Sequence, residues 1–422
     1  MADNAATLAA EISAVRPRDY ALWPFCFSFG LQRHSFYVLR AISVFYFRSF
    51  TRDDDTAQLL HSYFFAALSL APVCVGAFVR TLPAQRRAVY LGEALLAGAC
   101  ALLAIDISRY LAAALLIAGV GLFNVSFKTV FAASLKQRGA DLDAGFTWLY
   151  LSVNLGSFFA PLLFTRPDRS AFAWCVASML LSLAFWWMAM RGEELLLDSS
   201  PLDRARHALA ARRPASRSIF GVLILILFSI LFWLGFELKS GRLNLEAANP
   251  AVMRQTLFGL GFSGTRLQAV NPAAVMLLGF VFASLWQALA HRGREPHPVA
   301  KMSMGLVCLG TGFLVLQFGL SFSHGQPVSP AWFIGLYIWH SIGEWCFEPI
   351  GQGFVLANSP EKARAFLLAL WESTGAVAFI GGAQASHLLQ GNLYLVIGTA
   401  AVCAGVLLMA LLPVLKQLLK ER

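Results

Sequence analysis

The sequence predicts an all-α membrane protein of about twelve transmembrane helices, on three observations. Of its 422 residues, 58% are hydrophobic and only 13% are charged, where a water-exposed surface calls for roughly a quarter. Phe (35) and Gly (33) are abundant, as in helices that pack closely and face lipid. Apolar runs recur at the length of about 20 residues that the hydrocarbon core demands.

Six such runs sit near 22–48, 58–80, 87–108, 111–134, 144–164 and 171–190. Six more sit near 218–240, 272–291, 300–321, 330–357, 364–388 and 392–415. Between the sets, 191–217 holds Arg191, Arg204, Arg206, Arg212, Arg213 and Arg217. The expected organisation is an N-terminal six-helix bundle over 1–190, a basic cytoplasmic linker over 191–217 and a C-terminal six-helix bundle over 218–422. Basic loops stay cytoplasmic. Arg16, Arg18, Arg86, Arg87, Lys136, Arg138, the linker, Arg292, Arg294, Lys362, Arg364, Lys416 and Lys420 share one side, and Asp53, Asp54 and Asp55 lie on the other. Both termini are therefore expected inside. Arg242, Arg254 and Arg266 in the long outer loop weaken this bias without reversing it. Two six-helix halves joined by a cytoplasmic linker make the architecture of the major facilitator superfamily. The first twenty residues have no apolar core and are not a signal peptide; 3–15 can form a short amphipathic surface helix.

The net charge of +10 does not indicate nucleic acid, because the basic residues fall in short clusters between apolar runs rather than on one face or tail. The seven cysteines lie inside apolar stretches without metal-ligand spacing and read as packing residues. No Walker motif, GxSxG or HExxH occurs. No cofactor, metal or enzymatic chemistry is expected.

A charge at the bilayer centre costs at least about 3 kcal/mol and needs a reason. Span 1 holds Gln32, Arg33, His34 and Arg40, with the two arginines seven apart on one face. Span 4 holds Asn124 and Lys128, span 5 Asn154, span 7 Glu237 and Lys239, span 10 His340, Glu344 and Glu348, and span 11 Glu372. Glu344 and Glu348, four apart, stack on one face. The signs divide between the halves: Arg33, Arg40 and Lys128 from the first, Glu237, Glu344, Glu348 and Glu372 from the second. Halves facing each other around a cavity would give it one basic and one acidic wall. Such a site suits a zwitterion, carboxylate toward Arg and Lys, amine toward Glu, with Trp233 and Trp371 forming side-chain pockets. Each charge has a plainer reading, as an ion pair between helices or a snorkelling helix end. That reading is preferred for Arg40, Lys239 and Glu93. The site reading is preferred for Arg33, Lys128, Glu237 and Glu344, because four deep charges on four helices are expensive as glue.

At these residues the chain resembles the proton-dependent oligopeptide transporters of the major facilitator superfamily, over nearly its whole length. QRHSFYVLRAI at 32–42 looks like a degraded form of the family's span 1 motif, ExxERFxYYGxRA. The segment ending Phe127-Lys128 resembles GLFK. AGFTWLYLSVNLGSFF at 144–159 is close to the span 5 signature with its Asn-x-Gly-Ser. FWLGFELKSGRLNL resembles FWxxYEQxxxxLNL of span 7, LQAVNP at 267–272 the entry to span 8, and GEWCFEPIG at 343–351 the GELxxxPxG of span 10. The span 5 and span 10 matches are the specific ones.

The resemblance implies a secondary transporter importing di- or tripeptides, or similar zwitterions, with protons by alternating access. It is expected in a bacterial inner membrane, its partners being solute, protons and the lipid bilayer. It assigns Arg33, Tyr37, Arg40 and Lys128 to the N-terminal side of the peptide site and Asn154, Trp233, Glu237, Glu344 and Trp371 to its completion. The departures are specific. The motif's two glutamates align with Phe29 and Gln32, the Gln after the span 7 glutamate is Leu238, and Arg80 stands where the superfamily usually places Asp. The two extra helices common in bacterial members do not fit in 191–217. Proton coupling must therefore run through Glu237, Glu344, Glu348, Glu372 or His340, or be absent, leaving a uniporter. A carrier for a drug, modified amino acid or siderophore, and a transporter-like sensor that binds without flux, stand as alternatives.

Overall fold

The computed structural model describes residues 22–51, 53–76, 78–79, 81–137, 142–197, 219–359 and 364–418. The predicted surface helix 3–15, Arg80 and residues 198–217 of the predicted linker lie outside these. Among the described residues, twelve helices have eighteen residues or more. They are α1 (Trp23–Arg48), α2 (Asp54–Gly76), α3 (Leu82–Ala104), α4 (Arg109–Gln137), α5 (Leu142–Leu163), α6 (Arg169–Leu197), α7 (Ile219–Glu237), α8 (Val270–His291), α9 (Pro298–Phe322), α10 (Pro330–Asn358), α11 (Arg364–Leu389) and α12 (Leu393–Ala410). Among the described residues, nine helices are long and apolar enough to cross a membrane, and α1, α10 and α11 are not among those nine. These three carry Arg33 and Arg40, Glu344 and Glu348, and Glu372, whereas Lys128 and Glu237 lie on α4 and α7, which are among the nine.

Hydropathy located the helices; capping set their ends. Span 2 was expected from 58, but α2 begins at Asp54 because Asp53 accepts hydrogen bonds from the Thr56 N–H (2.7 Å) and hydroxyl (2.9 Å), relieving donors that a helix start leaves open. These bonds hold the Asp53 carboxyl below the usual carboxylate range. Asp168 starts α6 in the same way through the Ala171 N–H, 2.9 Å. Two predicted boundaries need correction. α6 continues helically through 191–197, so the linker does not begin at 191. The last run, 392–415, breaks at Leu411 into α12 and a short helix, Leu412–Leu418, because Pro413 cannot supply the N–H that a continuous helix requires. The long outer loop is also structured. It holds a short helix (Arg242–Ala248), a two-stranded hairpin (β1, Thr256–Leu257; β2, Leu260–Gly261) and one helical turn, Gly264–Leu267. Phe258 and Gly259 turn the hairpin with φ of 50° and 78°, the positive values that a two-residue hairpin turn needs.

Two cores organise the helices. One is built on Phe25, Phe123, Phe127 and Trp186 of α1–α6. The other is built on Phe232, Phe313, Phe347 and Trp371 of α7–α12, where Phe232 stacks on Phe347 at 4.3 Å. Helices meet closely where side chains are absent: a Cβ on Gly310 of α9 would sit 2.4 Å from the Gly398 carbonyl of α12, the small-residue packing that close helix approach requires. Large apolar side chains such as Leu227, Leu277 and Phe280 point outward, a surface suited to lipid rather than water. Ala376 and Phe379 of α11 join the first core, through packing of α11 against α2.

Candidate functional site

Between the two cores lies a cavity of about 230 Å³. α1 contributes Tyr37 and Arg40, and α5 contributes Tyr150, Asn154 and Ser157. α7 and the turn after it contribute Trp233, Glu237 and Lys239; Gln268 comes from just before α8 and Asn271 from its first turn, and Tyr337 and Glu344 from α10. One water centre needs roughly 10–15 Å³, so the space holds a small solute with its hydration.

α5 lines the cavity because it lies against α1 without a spacer. A Cβ on Gly156 would sit 2.6 Å from the Gly30 carbonyl oxygen and 3.1 Å from the His34 nitrogen. Only glycine allows this approach, and the Gly156 carbonyl then bonds His34 Nδ1 at 3.0 Å. The Asn-x-Gly-Ser signature thus combines cavity residues, Asn154 and Ser157, with a packing glycine.

Arg40 donates to Glu237 in a short ion pair that joins α1 to α7, its guanidinium 5.7 Å from the Phe379 ring centre. Glu344 accepts a hydrogen bond from Asn271 Nδ2, 2.9 Å, which also donates to Ser341. No cation lies within ion-pair distance of Glu344 among the described residues. Lys239 is buried at 4% exposure.

The end of the cavity toward Asp53–Asp55 is closed by contacts between the halves. His61 of α2 bonds Ser43 (2.9 Å) and Ser240 (3.1 Å). Asn244 donates to the Ala41 carbonyl at 2.9 Å, Arg242 pairs with Asp55 at 3.2 Å, and Gln384 donates to the Tyr63 hydroxyl at 3.2 Å. A Cβ on Gly241 would meet the Gln58 carboxamide at 2.5 Å. Toward the other end, α4 has no comparable packing on α10 or α11 among the described residues, and Lys128 and Glu372 are exposed.

The structure thus gathers Tyr37, Arg40, Asn154, Trp233, Glu237 and Glu344 around one cavity, and it separates the rest. Arg33 does not line it. Its guanidinium turns to α4, donating to Asn124 and to Gln32 (2.6 Å) between the rings of Phe29 and Phe36. Lys128 does not line it either. Trp371 is buried in the second core, stacked on Phe347, with its indole N–H donating to Glu348 at 3.3 Å. Glu348 and Glu372 form a separate cluster, bridged by Gln352 Nε2 at 2.6 and 3.0 Å. His340 is fully buried beside Phe313 and Phe236. The expected basic and acidic walls are therefore mixed: Arg40 is already paired with Glu237, and the cavity's other cation, Lys239, comes from the C-terminal half. Arg40 thus makes the interhelical ion pair that the plainer reading expected of it while also lining the cavity, as Lys239 does, whereas Arg33 and Lys128, preferred for the site, do not line it. The pattern could not reveal this because all four fall within apolar runs of the sequence, and which of them borders the cavity depends on how the helices pack. Tyr150, Gln268, Asn271 and Tyr337 were not singled out, although Tyr150 lies in the span 5 signature and Gln268 and Asn271 in LQAVNP; Tyr337 had no signal.

A bundle of long apolar helices enclosing a charged cavity between two halves defines a multi-pass membrane protein of the transporter class. The POT family model matches residues 206–394. Dipeptide and tripeptide permease A of Serratia proteamaculans is 25% identical over 92% of this chain and 90% of its own length. The permease of that name from Edwardsiella piscicida is 26% identical over 96% of both. Among solved structures, a peptide transporter in complex with alafosfalin superposes with a TM-score of 0.81, 23% identity, and 95% and 96% of the two chains covered. A POT family transporter in complex with a thioalcohol-conjugated peptide gives 0.80, 18%, and 96% and 99%. The POT family model thus matches most of the C-terminal half, and over nearly its whole length the chain is similar to peptide permeases and shares the fold of POT family transporters.

Proposed function

We propose that this protein is a secondary transporter that imports di- or tripeptides, or similar zwitterions, with protons by alternating access. The observation that carries the reading is the cavity between the halves, lined by Arg40, Glu237, Lys239 and Glu344 and sealed at one end. Opposed charges in a partly desolvated chamber recognise an ionised amine and carboxylate far better than a neutral solute does. The names of the relatives support peptides as the class.

In this reading all twelve long helices cross a bacterial inner membrane, with both termini and the linker in the cytoplasm. The two six-helix halves, α1–α6 and α7–α12, rock around the cavity. The seal at Asp53–Asp55 is then the outer gate, and the conformation is inward-facing. A solute shifts the balance of states only through differential affinity for them, and here that difference lies in groups such as Glu344 whose partners change between states. With Phe29 and Gln32 at the acidic positions of span 1, coupling falls to Glu237, Glu344, Glu348, Glu372 or His340.

Uptake of a labelled dipeptide into proteoliposomes, with and without an imposed pH gradient, tests this. Accumulation driven by an inward proton gradient, and lost in E344Q, is expected. Uptake indifferent to the gradient overturns symport and leaves a uniporter, a reading favoured by Gln32 and Phe29. No dipeptide uptake under either condition overturns the peptide reading.

A further inference from the structure

The cavity carries an imbalance that its ion pair does not resolve. Arg40 and Glu237 neutralise each other, which leaves one cation and one carboxylate, Lys239 and Glu344, on the same cavity. Lys239 stands in the turn beyond α7, 4% exposed. Its Nζ has no hydrogen-bond acceptor among the described residues. What holds it is ring faces: Phe236 with its centre 3.1 Å away and Tyr337 at 5.5 Å. An ammonium has three donors and no acceptor, and an enclosed one that no acceptor reaches is costly; Glu344 and Glu237 act on it only through space. Glu344 mirrors this, its carboxylate receiving the neutral Asn271 amide.

From this unmatched pair we infer that Lys239 is the carboxylate-recognising residue of the cavity, with Glu344 taking the amine, so that one half of the molecule grips both ends of a short zwitterion. The inference rests on the reading of the cavity as a zwitterion site and names its carboxylate subsite. A bound carboxylate supplies the acceptor that Lys239 lacks, and the flexible four-carbon stem lets the ammonium leave the Phe236 face to reach it. Arg33 and Lys128, which the sequence pattern offered for this role, are turned elsewhere or lie outside the cavity. Arg40 is engaged by Glu237 and stays with the gate. The preferred solute is therefore a compact zwitterion with a free carboxyl terminus; an amidated peptide leaves Lys239 unsatisfied.

The test compares inhibition of labelled dialanine uptake by unlabelled dialanine, its C-terminal amide and its N-acetyl derivative, in the parent, K239M, K239R and E344Q. The parent is expected to prefer the free acid over the amide by about tenfold or more, the scale of a charge-assisted hydrogen bond. K239M should bring that ratio to near one, chiefly by weakening the free acid. K239R should retain most of it, and E344Q should instead lose discrimination against the N-acetyl derivative. Melting in detergent establishes that each variant is folded, with K239Q as substitute should K239M not be. A folded K239M that still prefers the acid as the parent does overturns the inference and leaves the peptide reading standing. A parent that takes up no dialanine overturns both.

Discussion

Breaking the Arg40–Glu237 pair should move the protein away from the conformation described here. The pair spans α1 and α7, with side-chain exposures of 16% and 7%, and it lies beside the other contacts that close the gate end, from Ser43–His61–Ser240 to Asn244–Ala41. In E237Q the Arg40 charge stays enclosed with one neutral amide in place of a carboxylate. Removing one partner of a buried pair costs about 3–5 kcal/mol, most of it the orphaned charge. Because the pair joins the two halves, that cost falls on the closed gate and not on either bundle alone. At about 1.4 kcal/mol per tenfold, even half of the lower figure shifts the ratio of gate-closed to gate-open molecules by about tenfold. Replacing both partners, as in R40M/E237M, removes the orphan and should restore much of the balance. The assay is the distance between spin labels at Ser49 and Gly391, both near the gate end, in a background without native cysteines. Each single neutralisation should broaden the distribution toward longer distances, and the double variant less so. If E237Q keeps the parent distribution, or the double variant opens further than either single, the pair does not hold the gate.

Gly156→Val should lower the melting temperature and uptake together, by about 1–3 kcal/mol of overpacking, because the added atoms meet backbone of Gly30 and His34 rather than a movable side chain; a G156V that melts like the parent removes the packing role. Asp168→Ala should cost about 1 kcal/mol through loss of the α6 cap. Bonds from Ser170 and Ala171 hold the Asp168 carboxyl below its ordinary 3.8, so this contribution is complete above that value and is lost as pH falls through the lowered one. The melting difference should be level from about pH 5 to 8 and shrink in acid, and a difference that grew in acid would contradict the cap. E372Q should keep dialanine affinity within about twofold, since Glu372 belongs to the Glu348–Gln352 cluster outside the cavity; a tenfold loss in a binding titration would show that the cluster contacts the solute.

Span positions were legible because the bilayer imposes one length and one solvent on every helix, so that composition alone marks α1–α12 to within a few residues. Ends were less legible, since a cap such as Asp53 or a break such as Pro413 acts through a single residue. The buried charges were legible as a set, because their cost in hydrocarbon does not depend on neighbours. Their partners were not. Arg33 and Arg40 share a face but stand two turns apart, about 10 Å along the axis. At Arg33 that face meets Asn124 of α4, and at Arg40 it meets Glu237 of α7. Glu344 and Glu348 share a face one turn apart, yet the first borders the cavity and the second bonds Trp371 and Gln352.

The sequence by itself determined a helical membrane protein with deep charges of both signs and a likeness to peptide carriers, because hydrophobic length, charge cost and motif order are local properties. Only the tertiary structure decided which charges meet: Arg40 with Glu237, Glu348 with Gln352, and Lys239 and Glu344 left facing one hollow. Ion pairing depends on distance across helices, and that distance is fixed by packing contacts such as Gly156 on Gly30, far from the charges in sequence.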